Sequence, residues 1–322
     1  MLAIINPKDE YIDLNLLTGC EIGLKWKYLL AVFIGACSYG VLSTVVKLSY
    51  LDGVKKNELI VAQFFAGWLM ITLIYLFKNN RPKISLRKKV LLMVGGIPSG
   101  LVGVYYYTSL ETVEASFAII LLFQFVWMGI GIDSIFTRRL PDKKTTGSII
   151  ILLLGTVLSS GISLQGAIDS VDFRGIVFGL LAAACFALFI FANARVAPEI
   201  GAAQRSFYMV SGSFFIVLLI LIPAVMTQGI GSPGSLWIYG VILGFFGVFI
   251  PPFLFAYGMP HIGSGIGSIL GSAELPVTIL LSMLILHEIV SGLQWIGILL
   301  ILMAIILSNA PYKIRQADQT MG

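Results

Sequence analysis

A glutamate inside an apolar stretch is the residue of this chain that most clearly points to chemistry. Glu274 stands near the middle of the apolar run 263–286. A charged side chain at the centre of a membrane helix costs at least about 2.5–3.5 kcal/mol, so it normally faces a cavity or a partner. We interpret Glu274 as a candidate proton site or as a ligand for an amino group. The alternative is a protonated glutamate that hydrogen-bonds to a neighbouring helix.

Small and polar residues accompany Glu274 at helical spacing. Pro276 lacks a backbone N–H, so we expect the helix to kink beside Glu274. The residues expected on the same helix face are Gly267, Gly271, Thr278 and Ser282. A face of this kind packs against protein or water and not against lipid. It predicts either a cavity wall that includes Thr278 or a close contact between helices.

A second polar position lies about 150 residues earlier, in the apolar run 115–136. Gln124 and Trp127 are three residues apart, so they share a helix face. The amide offers both a donor and an acceptor, and the indole offers an apolar face that attracts cations. The pair therefore suits a zwitterionic or aromatic solute. The alternative is that Gln124 pairs with another helix and Trp127 only packs.

The remaining candidates are polar, aromatic or proline residues in other apolar runs. Further candidates for a substrate cavity are Tyr39, Gln63, Tyr107 and Tyr257, and further expected helix breaks are Pro98, Pro251 and Pro252. Interrupted helices at corresponding places in two halves of a chain indicate a transport site. The tyrosines alternatively belong to the aromatic belt at the membrane surface. Asp133 is expected to form a local ion pair with Arg138 or Arg139.

Composition restricts the class of protein. The 322 residues are 58% hydrophobic and 11% charged, whereas a soluble domain is about 45–50% apolar and about 25% charged. A chain this apolar needs lipid as its solvent. The net charge of +5 lies in short loops and indicates no nucleic-acid partner. The three cysteines lack metal or redox spacing, and no phosphate-binding loop of an ATPase is present, so we expect neither metal nor cofactor.

The apolar runs predict an all-α integral membrane protein. A bilayer core about 30 Å thick needs about 20 apolar residues per helix. Ten runs qualify, at 27–51, 58–77, 90–109, 115–136, 146–164, 175–196, 203–226, 236–257, 263–286 and 291–310. Most of the 21 Lys and Arg residues would be cytoplasmic if the N-terminus is inside. We therefore predict a multi-pass protein of the cytoplasmic membrane with both termini in the cytoplasm.

The two halves of the chain resemble each other. At a spacing of about 150 residues, the matching pairs are Ala36-Cys37 with Ala184-Cys185, Lys47 with Arg195, Gly53 with Gly201, Tyr107 with Tyr257, Gln124 with Glu274, and Gly147 with Gly297. Five spans per half is an odd number, so the second copy would be inverted. The predicted organisation is a cytoplasmic segment at 1–25, a first repeat at 26–168, a second repeat at 169–310 and a cytoplasmic tail at 311–322. Lys47 and Arg195 would then lie at opposite membrane faces, either as snorkelling side chains or as gates.

The second half resembles the EamA-type transporters of the drug/metabolite transporter superfamily. The matching features are the run Ala273-Glu274-Leu275-Pro276-Val277, the run Leu284-Ile285-Leu286-His287-Glu288, and the glycines at 292 and 297 in the last helix. The first half departs from the pattern, because Val126 stands opposite Pro276 and Arg138 opposite Glu288. The aromatic run 123–127 is most similar to amino-acid and metabolite exporters. The resemblance implies ten helices around a central cavity, alternating access and export of small organic solutes.

The sequence thus predicts a secondary transporter and no enzyme. The solutes would be amino acids or related metabolites, most simply exported, with protons as a further partner. The alternatives are metabolite uptake, a multidrug carrier of the same fold, and a membrane-embedded enzyme. The enzyme is disfavoured because the two histidines, His261 and His287, would lie near opposite membrane faces. Glycine pairs serve packing within or between chains, so the sequence sets no oligomeric state.

Overall fold

The computed structural model describes residues 19–77, 82–109, 111–113, 115–160, 172–228 and 234–309, and these residues form helices joined by short connections. The α-helices are α1 (Gly19–Leu51), α2 (Lys56–Phe77), α3 (Leu86–Ser109), α4 (Ala115–Leu122), α5 (Phe125–Thr137), α6 (Lys143–Ser159), α7 (Phe173–Arg195), α8 (Ala202–Gln228), α9 (Leu236–Leu243), α10 (Ile250–Ile262), α11 (Ser264–Gly271), α12 (Glu274–Ile285) and α13 (Gly292–Asn309). A π-helix, Gly244–Phe249, joins α9 to α10. The all-α prediction is confirmed for this part of the chain.

In the part of the chain that the structure describes, eight helical stretches are long and apolar enough to cross a membrane. They are Trp26–Leu51, Lys56–Phe77, Leu86–Ser109, Phe117–Thr137, Phe173–Arg195, Ala202–Thr227, Leu236–Ile262 and Ser264–Ile285. The predicted fifth and tenth spans correspond to α6 and α13, which are shorter, with 17 and 18 residues. The protein is therefore a multi-pass membrane protein, and the count of ten spans stays a prediction. The segments 1–18 and 310–322, which contain most of the predicted cytoplasmic termini, lie outside the described residues.

The fourth and ninth predicted spans are both broken near their middle. In the ninth, α11 ends at Gly271 and α12 begins at Glu274, so the helix breaks before Pro276 instead of kinking at it. Pro276 lies in the first turn of α12, where a missing N–H costs no hydrogen bond. The carbonyl of Ser272 accepts from the Leu275 N–H at 3.2 Å. This tighter, 3₁₀-type bond satisfies the carbonyl that a proline four residues later leaves free.

The break in the fourth span was not predicted, because no proline marks it. There, α4 ends at Leu122 and α5 begins at Phe125. The Gln124 side chain donates from Nε2 to the carbonyl of Ile120 at 2.9 Å. A side-chain amide therefore satisfies a carbonyl beside the break. Each broken span also ends with a non-glycine residue at positive φ, Arg138 in one half and His287 in the other, both at 54°.

Two expected proline breaks did not form as predicted. α3 runs without interruption from Leu86 to Ser109 with Pro98 inside it, so the break predicted at Pro98 is wrong. A single proline removes one hydrogen bond, which a membrane helix can tolerate. At Pro251 and Pro252 the chain widens into the π-helix, where the Ile250 N–H reaches back to the carbonyl of Phe245. Two missing donors are thus absorbed by a wider turn.

Helices of one half pack against helices of the other. α1 contacts α10 and α12, and in the corresponding way α7 contacts α3 and α5. Counterparts also meet directly, since α2 packs on α8 and α6 packs on α13. Glycines allow the close approaches, as at Gly40, whose missing Cβ would lie 2.7 Å from the carbonyl oxygen of Glu274. The break before Glu274 is thereby held directly against α1.

Candidate functional site

Glu274 is the first residue of α12, immediately after the break, and its backbone is pressed against Gly40 of α1. Within the described residues, its carboxylate receives no hydrogen bond and forms no ion pair. The adjacent polar residue Thr278 is used differently, because its hydroxyl donates to the carbonyl of Gly40 at 3.3 Å. Thr278 therefore fastens α12 to α1, and Glu274 remains available to a ligand.

Two tyrosines from the first half lie within electrostatic range of the Glu274 carboxylate. They are Tyr39 on α1 and Tyr106 on α3. The Tyr39 ring contacts Phe186 and Phe255 edge-on, at centroid distances of 5.6 and 6.0 Å. The site therefore combines one carboxylate, two phenolic hydroxyls and aromatic walls. Tyr39 was among the sequence candidates, whereas Tyr106 was not.

The run of three tyrosines on α3 explains why Tyr106 was missed. Successive residues of a helix point about 100° apart, so neighbouring side chains face different helices. Tyr105 packs near Phe178 of α7 at 5.8 Å, and Tyr107 packs among the apolar residues of α2. Tyr106, between them, lies within electrostatic range of Glu274. Of the two neighbours, Tyr107 packs among apolar side chains, and Tyr106 is the one near the carboxylate.

Gln124 stands at the break that corresponds to the one before Glu274, but its side chain is fully engaged. Nε2 donates to the carbonyl of Ile120, and Oε1 accepts from Trp127 Nε1 at 2.8 Å. Both hydrogen bonds stay within the broken fourth span. The Trp127 side chain is 47% exposed. The Trp127 N–H and both polar ends of the Gln124 amide therefore have partners within the same span.

Two further sequence candidates lie at helix contacts away from the Glu274 cluster. Gln63 is buried, and its amide nitrogen lies 3.0 Å from where a Cβ would stand at Gly247 of the π-helix. Tyr257 lies close to the end of α10, with its ring 5.2 Å from that of Tyr28. Tyr28 also stacks on His261 at 3.7 Å. This aromatic group at a helix end matches the alternative of a membrane-surface belt.

An ion pair connects the two halves at one end of the bundle. Arg195, the last residue of α7, donates to Asp133 Oδ1 of α5 at 3.1 Å, where the sequence predicted Arg138 or Arg139 as the partner. The Ser264 hydroxyl donates to the same oxygen at 2.5 Å. Both charged side chains are mostly buried, with 25% and 19% of their surface exposed. We name Arg195, Asp133 and Ser264 the first latch.

A second ion pair connects the halves in the reciprocal way. Lys47 of α1 donates to Glu288, after α12, at 2.6 Å. Both side chains are about half exposed, so this second latch lies in a wetter setting than the first. The hydrogen bond from Lys47 is the main cause that lowers the pKa of Glu288 below its ordinary value. Glu288 is therefore ionised at neutral pH, and the matched residues Lys47 and Arg195 each bind an acid of the opposite half.

This site has the chemistry of recognition. A carboxylate with free acceptor capacity can bind an ammonium group or a proton, and aromatic faces favour a cation. Within the described residues, no group of His, Cys, Asp and Glu is arranged to hold a metal ion. The groups around Glu274 therefore offer acceptor oxygens and aromatic faces.

Comparison with known proteins supports a transporter. Residues 173–310 match the family model described as the EamA-like transporter family. The second half of the chain is thus similar to an EamA-like transporter domain, which supports a relation to the drug/metabolite transporter superfamily. The family consists of transporters and not enzymes, which is consistent with the prediction of a transporter and not an enzyme. A comparison with curated protein sequences gives no match.

The fold also occurs among solved structures. One of them, titled "Crystal structure of protein", has a TM-score of 0.72 with this chain at 15% sequence identity. The alignment covers 88% of this chain and 97% of the other. At that identity the likeness concerns the fold alone. It extends well beyond residues 173–310, so the first half shares in a fold that is already known.

Proposed function

We propose that this protein is a secondary transporter that exports amino acids or related amine-bearing metabolites across the cytoplasmic membrane by alternating access. The observation that carries the proposal is the Glu274 carboxylate, which stands at a helix break without a partner among the described residues. Tyr39 and Tyr106 lie in its electrostatic range. The EamA-like domain at 173–310 supports transport as the type of activity.

The substrate class follows from the groups that surround Glu274. A substrate ammonium would pair with the carboxylate and accept stabilisation from the aromatic rings. The N-terminus of α12 would attract the carboxylate of a zwitterion only through its partial positive charge, because the Leu275 N–H already donates to Ser272 and Pro276 has no N–H. When no substrate is bound, Glu274 would hold a proton, and this exchange would couple transport to the proton gradient.

Alternating access would come from an inverted pair of five-helix repeats. Three features repeat at nearly constant spacing, namely the helix breaks before 125 and 274, the positive-φ residues Arg138 and His287, and the reciprocal latches. The packing of α1 on α10 and α12 corresponds to that of α7 on α3 and α5. These correspondences support a rocking of one half against the other, with each latch closing one mouth.

A second candidate function is the export of organic cations. It is favoured by the composition of the cluster, because Tyr39, Tyr106 and Glu274 include no cationic side chain for a substrate carboxylate. Metabolite uptake is the same mechanism in the opposite direction. All three alternatives use Glu274 and differ in the solute and in the side of entry.

The deciding experiment is transport by the purified protein in vesicles. We would load them with a panel of amino acids, amines, organic cations and carboxylates, with and without a pH gradient. We expect efflux of amine-bearing solutes and a faster rate when the gradient favours proton exchange. Glu274→Gln should lower the rate at least about tenfold and flatten its pH dependence, because an amide cannot exchange a proton.

Glu199→Gln is the matched control. Partial burial raises the pKa of Glu199, but the hydrogen bond and charge of Lys88 outweigh it, so the pKa is lowered overall. Glu199 therefore stays ionised between pH 5 and 8, and its variant should keep the normal pH profile. Normal rate and pH dependence in Glu274→Gln would refute the proposed role of Glu274. Efflux of carboxylates without an amine would instead refute the substrate class.

A further inference from the structure

A cavity of about 370 Å³ lies between the ends of α2, α3 and α8. Its charged lining consists of Lys83 and Lys89, and its other walls include Tyr75, Ile84, Gln204 and Tyr208. None of its lining residues belongs to the Glu274 cluster or to either latch. The volume lies in the range of small-molecule sites, about 300–1,000 Å³.

The charged side chains that line this cavity are all positive. No carboxylate is among its lining residues, whereas two ammonium groups are. The neighbouring Lys88 is different, because it donates to Glu199 at 2.5 Å outside the cavity. Lys89 stays on the cavity side, with Nζ 5.9 Å from the centre of the Tyr208 ring. Among the described residues, the cavity lining therefore carries positive charge and no carboxylate.

Packing prepares the walls of the cavity. Gln204 is buried and donates from Nε2 to the carbonyl of Pro82 at 3.1 Å, which ties the segment before α3 to α8. Tyr75 stacks on Phe207 at a centroid distance of 4.2 Å, nearly parallel to it. These contacts fix the positions from which Lys83 and Tyr208 face the space between them. Contacts within the protein therefore hold the walls of the cavity in place.

The position of the cavity along the helices indicates what fills it. Tyr75 is near the end of α2 at Phe77, and Lys89 is in the first turn of α3, which begins at Leu86. Helix ends of a membrane protein lie at the depth of the lipid headgroups. Basic pockets between membrane helices at this depth bind phosphate-bearing headgroups. Lysine is also a common ligand of phosphate in soluble compounds.

We propose that this cavity binds a phosphate group, supplied by the headgroup of an anionic phospholipid or by a soluble phosphate ester. The two ammonium groups would neutralise the phosphate, and the rings of Tyr75 and Tyr208 would contact the carbon atoms of its substituent. The site is separate from the substrate site and does not depend on the proposed transport activity. An occupied site would bridge α3 and α8 and stiffen the contact between the two halves.

The test is ligand binding to the full-length protein in neutral detergent after removal of lipid. The probes are phosphatidylglycerol, phosphatidylcholine, glycerol phosphate and inorganic phosphate, measured by thermal unfolding and native mass spectrometry. Lys83→Gln with Lys89→Gln should weaken binding of the effective probe about tenfold or more, since each lysine contributes about fivefold near an anionic surface. The control is Arg138→Gln with Lys143→Gln, which removes two exposed charges elsewhere and should change binding less than twofold.

Each outcome decides a separate question. Selective binding of phosphatidylglycerol identifies a lipid source, and equal binding of glycerol phosphate identifies a soluble one. Unchanged binding in the Lys83/Lys89 variant would overturn the proposal, as would an equal loss in the control variant or the lack of binding by all phosphate probes. If the double variant unfolds, Lys83→Gln alone serves as the test, because Lys83 lies on an exposed segment.

Discussion

At the scale of single residues, two polar side chains at corresponding helix breaks differ in whether they are hydrogen-bonded. Gln124 and Glu274 stand at corresponding helix breaks, yet the amide of Gln124 makes two hydrogen bonds within its own span. The carboxylate of Glu274 has no hydrogen bond or ion pair among the described residues, and Tyr39 and Tyr106 lie within its electrostatic range. A polar group inside the membrane is costly unless it is paired. The energetic cost of an unpaired carboxyl group at Glu274 is best explained by a ligand that pairs with it.

Tyr106 provides a test at this scale. Removing its hydroxyl with Tyr106→Phe should raise the half-saturating substrate concentration about three- to tenfold, because a hydrogen bond contributes roughly 1 kcal/mol. The measurement is efflux from vesicles over a range of substrate concentrations. Tyr105→Phe is the control, because that ring packs near Phe178 on the neighbouring helix. Equal effects of the two substitutions would contradict the assignment of Tyr106 to the site.

At the scale of helices, two different devices produce the same break. The ninth span uses Pro276, whose missing N–H favours the start of a helix. The fourth span uses the side chain of Gln124, which donates to a backbone carbonyl beside the break. Close packing at glycines positions other helices, for example where α6 and α13 meet at Gly155 and Gly297. The helices are therefore positioned by small residues as much as by apolar ones.

Two glycines of α6 should respond oppositely to the same substitution. A Cβ at Gly155 would lie 2.9 Å from the carbonyl oxygen of Gly297, whereas a Cβ at Gly147 meets nothing within 4 Å. Gly155→Ala should therefore lower the free energy of unfolding by about 1–3 kcal/mol. Gly147→Ala should raise it by about 0.5–1 kcal/mol, because alanine loses less backbone entropy in a helix. Thermal or denaturant unfolding in detergent measures both, and a change of the same sign would contradict this packing.

At the scale of the whole molecule, each latch joins one half to the other. Arg195 binds Asp133, and Lys47 binds Glu288, so each first helix of a half holds the broken span of the opposite half. The first latch is mostly buried and receives an additional hydrogen bond from Ser264. The second is about half exposed and is therefore more strongly screened by water and salt. Under the proposed alternating-access mechanism, this difference would favour opening at the end of the bundle that holds Lys47 and Glu288.

Breaking the first latch and breaking the second should increase access of an aqueous reagent to position 278 from opposite sides of the membrane. A single cysteine at Thr278, in a protein without its native cysteines, would report labelling from each side by a membrane-impermeant reagent. We expect Glu288→Gln to raise labelling through its own mouth about two- to fivefold. Asp133→Asn should raise labelling through the other mouth at least as much. Glu199→Gln is the control, and equal labelling in all variants would refute the latches as gates.

The sign of the pH dependence of the second latch follows from Glu288. The pKa of the Glu288 carboxyl is lowered in the folded protein, chiefly by the hydrogen bond from Lys47. The contribution of this pair is thus complete above the ordinary glutamate pKa, about 4.3, and is lost as the pH falls through the lower folded value. The labelling of the parent protein through this mouth should therefore not change between pH 5 and 8. A change in that range would have to come from another group, such as Glu274.

Properties that depend on single residues and their near neighbours in sequence could be predicted without the fold. Long apolar runs, a glutamate inside one of them and a proline beside it are each visible without a fold, because hydropathy and missing donors act on single residues. They determined the all-helical membrane class, the position of most spans and the choice of Glu274. Proline was a poorer guide to geometry, since α3 continues through Pro98 and the chain widens into a π-helix before Pro251.

Only the tertiary structure decided which residues meet. The partner of Asp133 is Arg195 and not a neighbour in sequence. Tyr106 lies within electrostatic range of Glu274, and Gln124 makes its two side-chain hydrogen bonds within its own span. Such choices depend on how helices distant in sequence are packed and rotated against each other, which hydropathy does not encode. The sequence alone therefore determined what kind of protein this is and where its charge lies in the membrane, while packing decided which groups are free to bind.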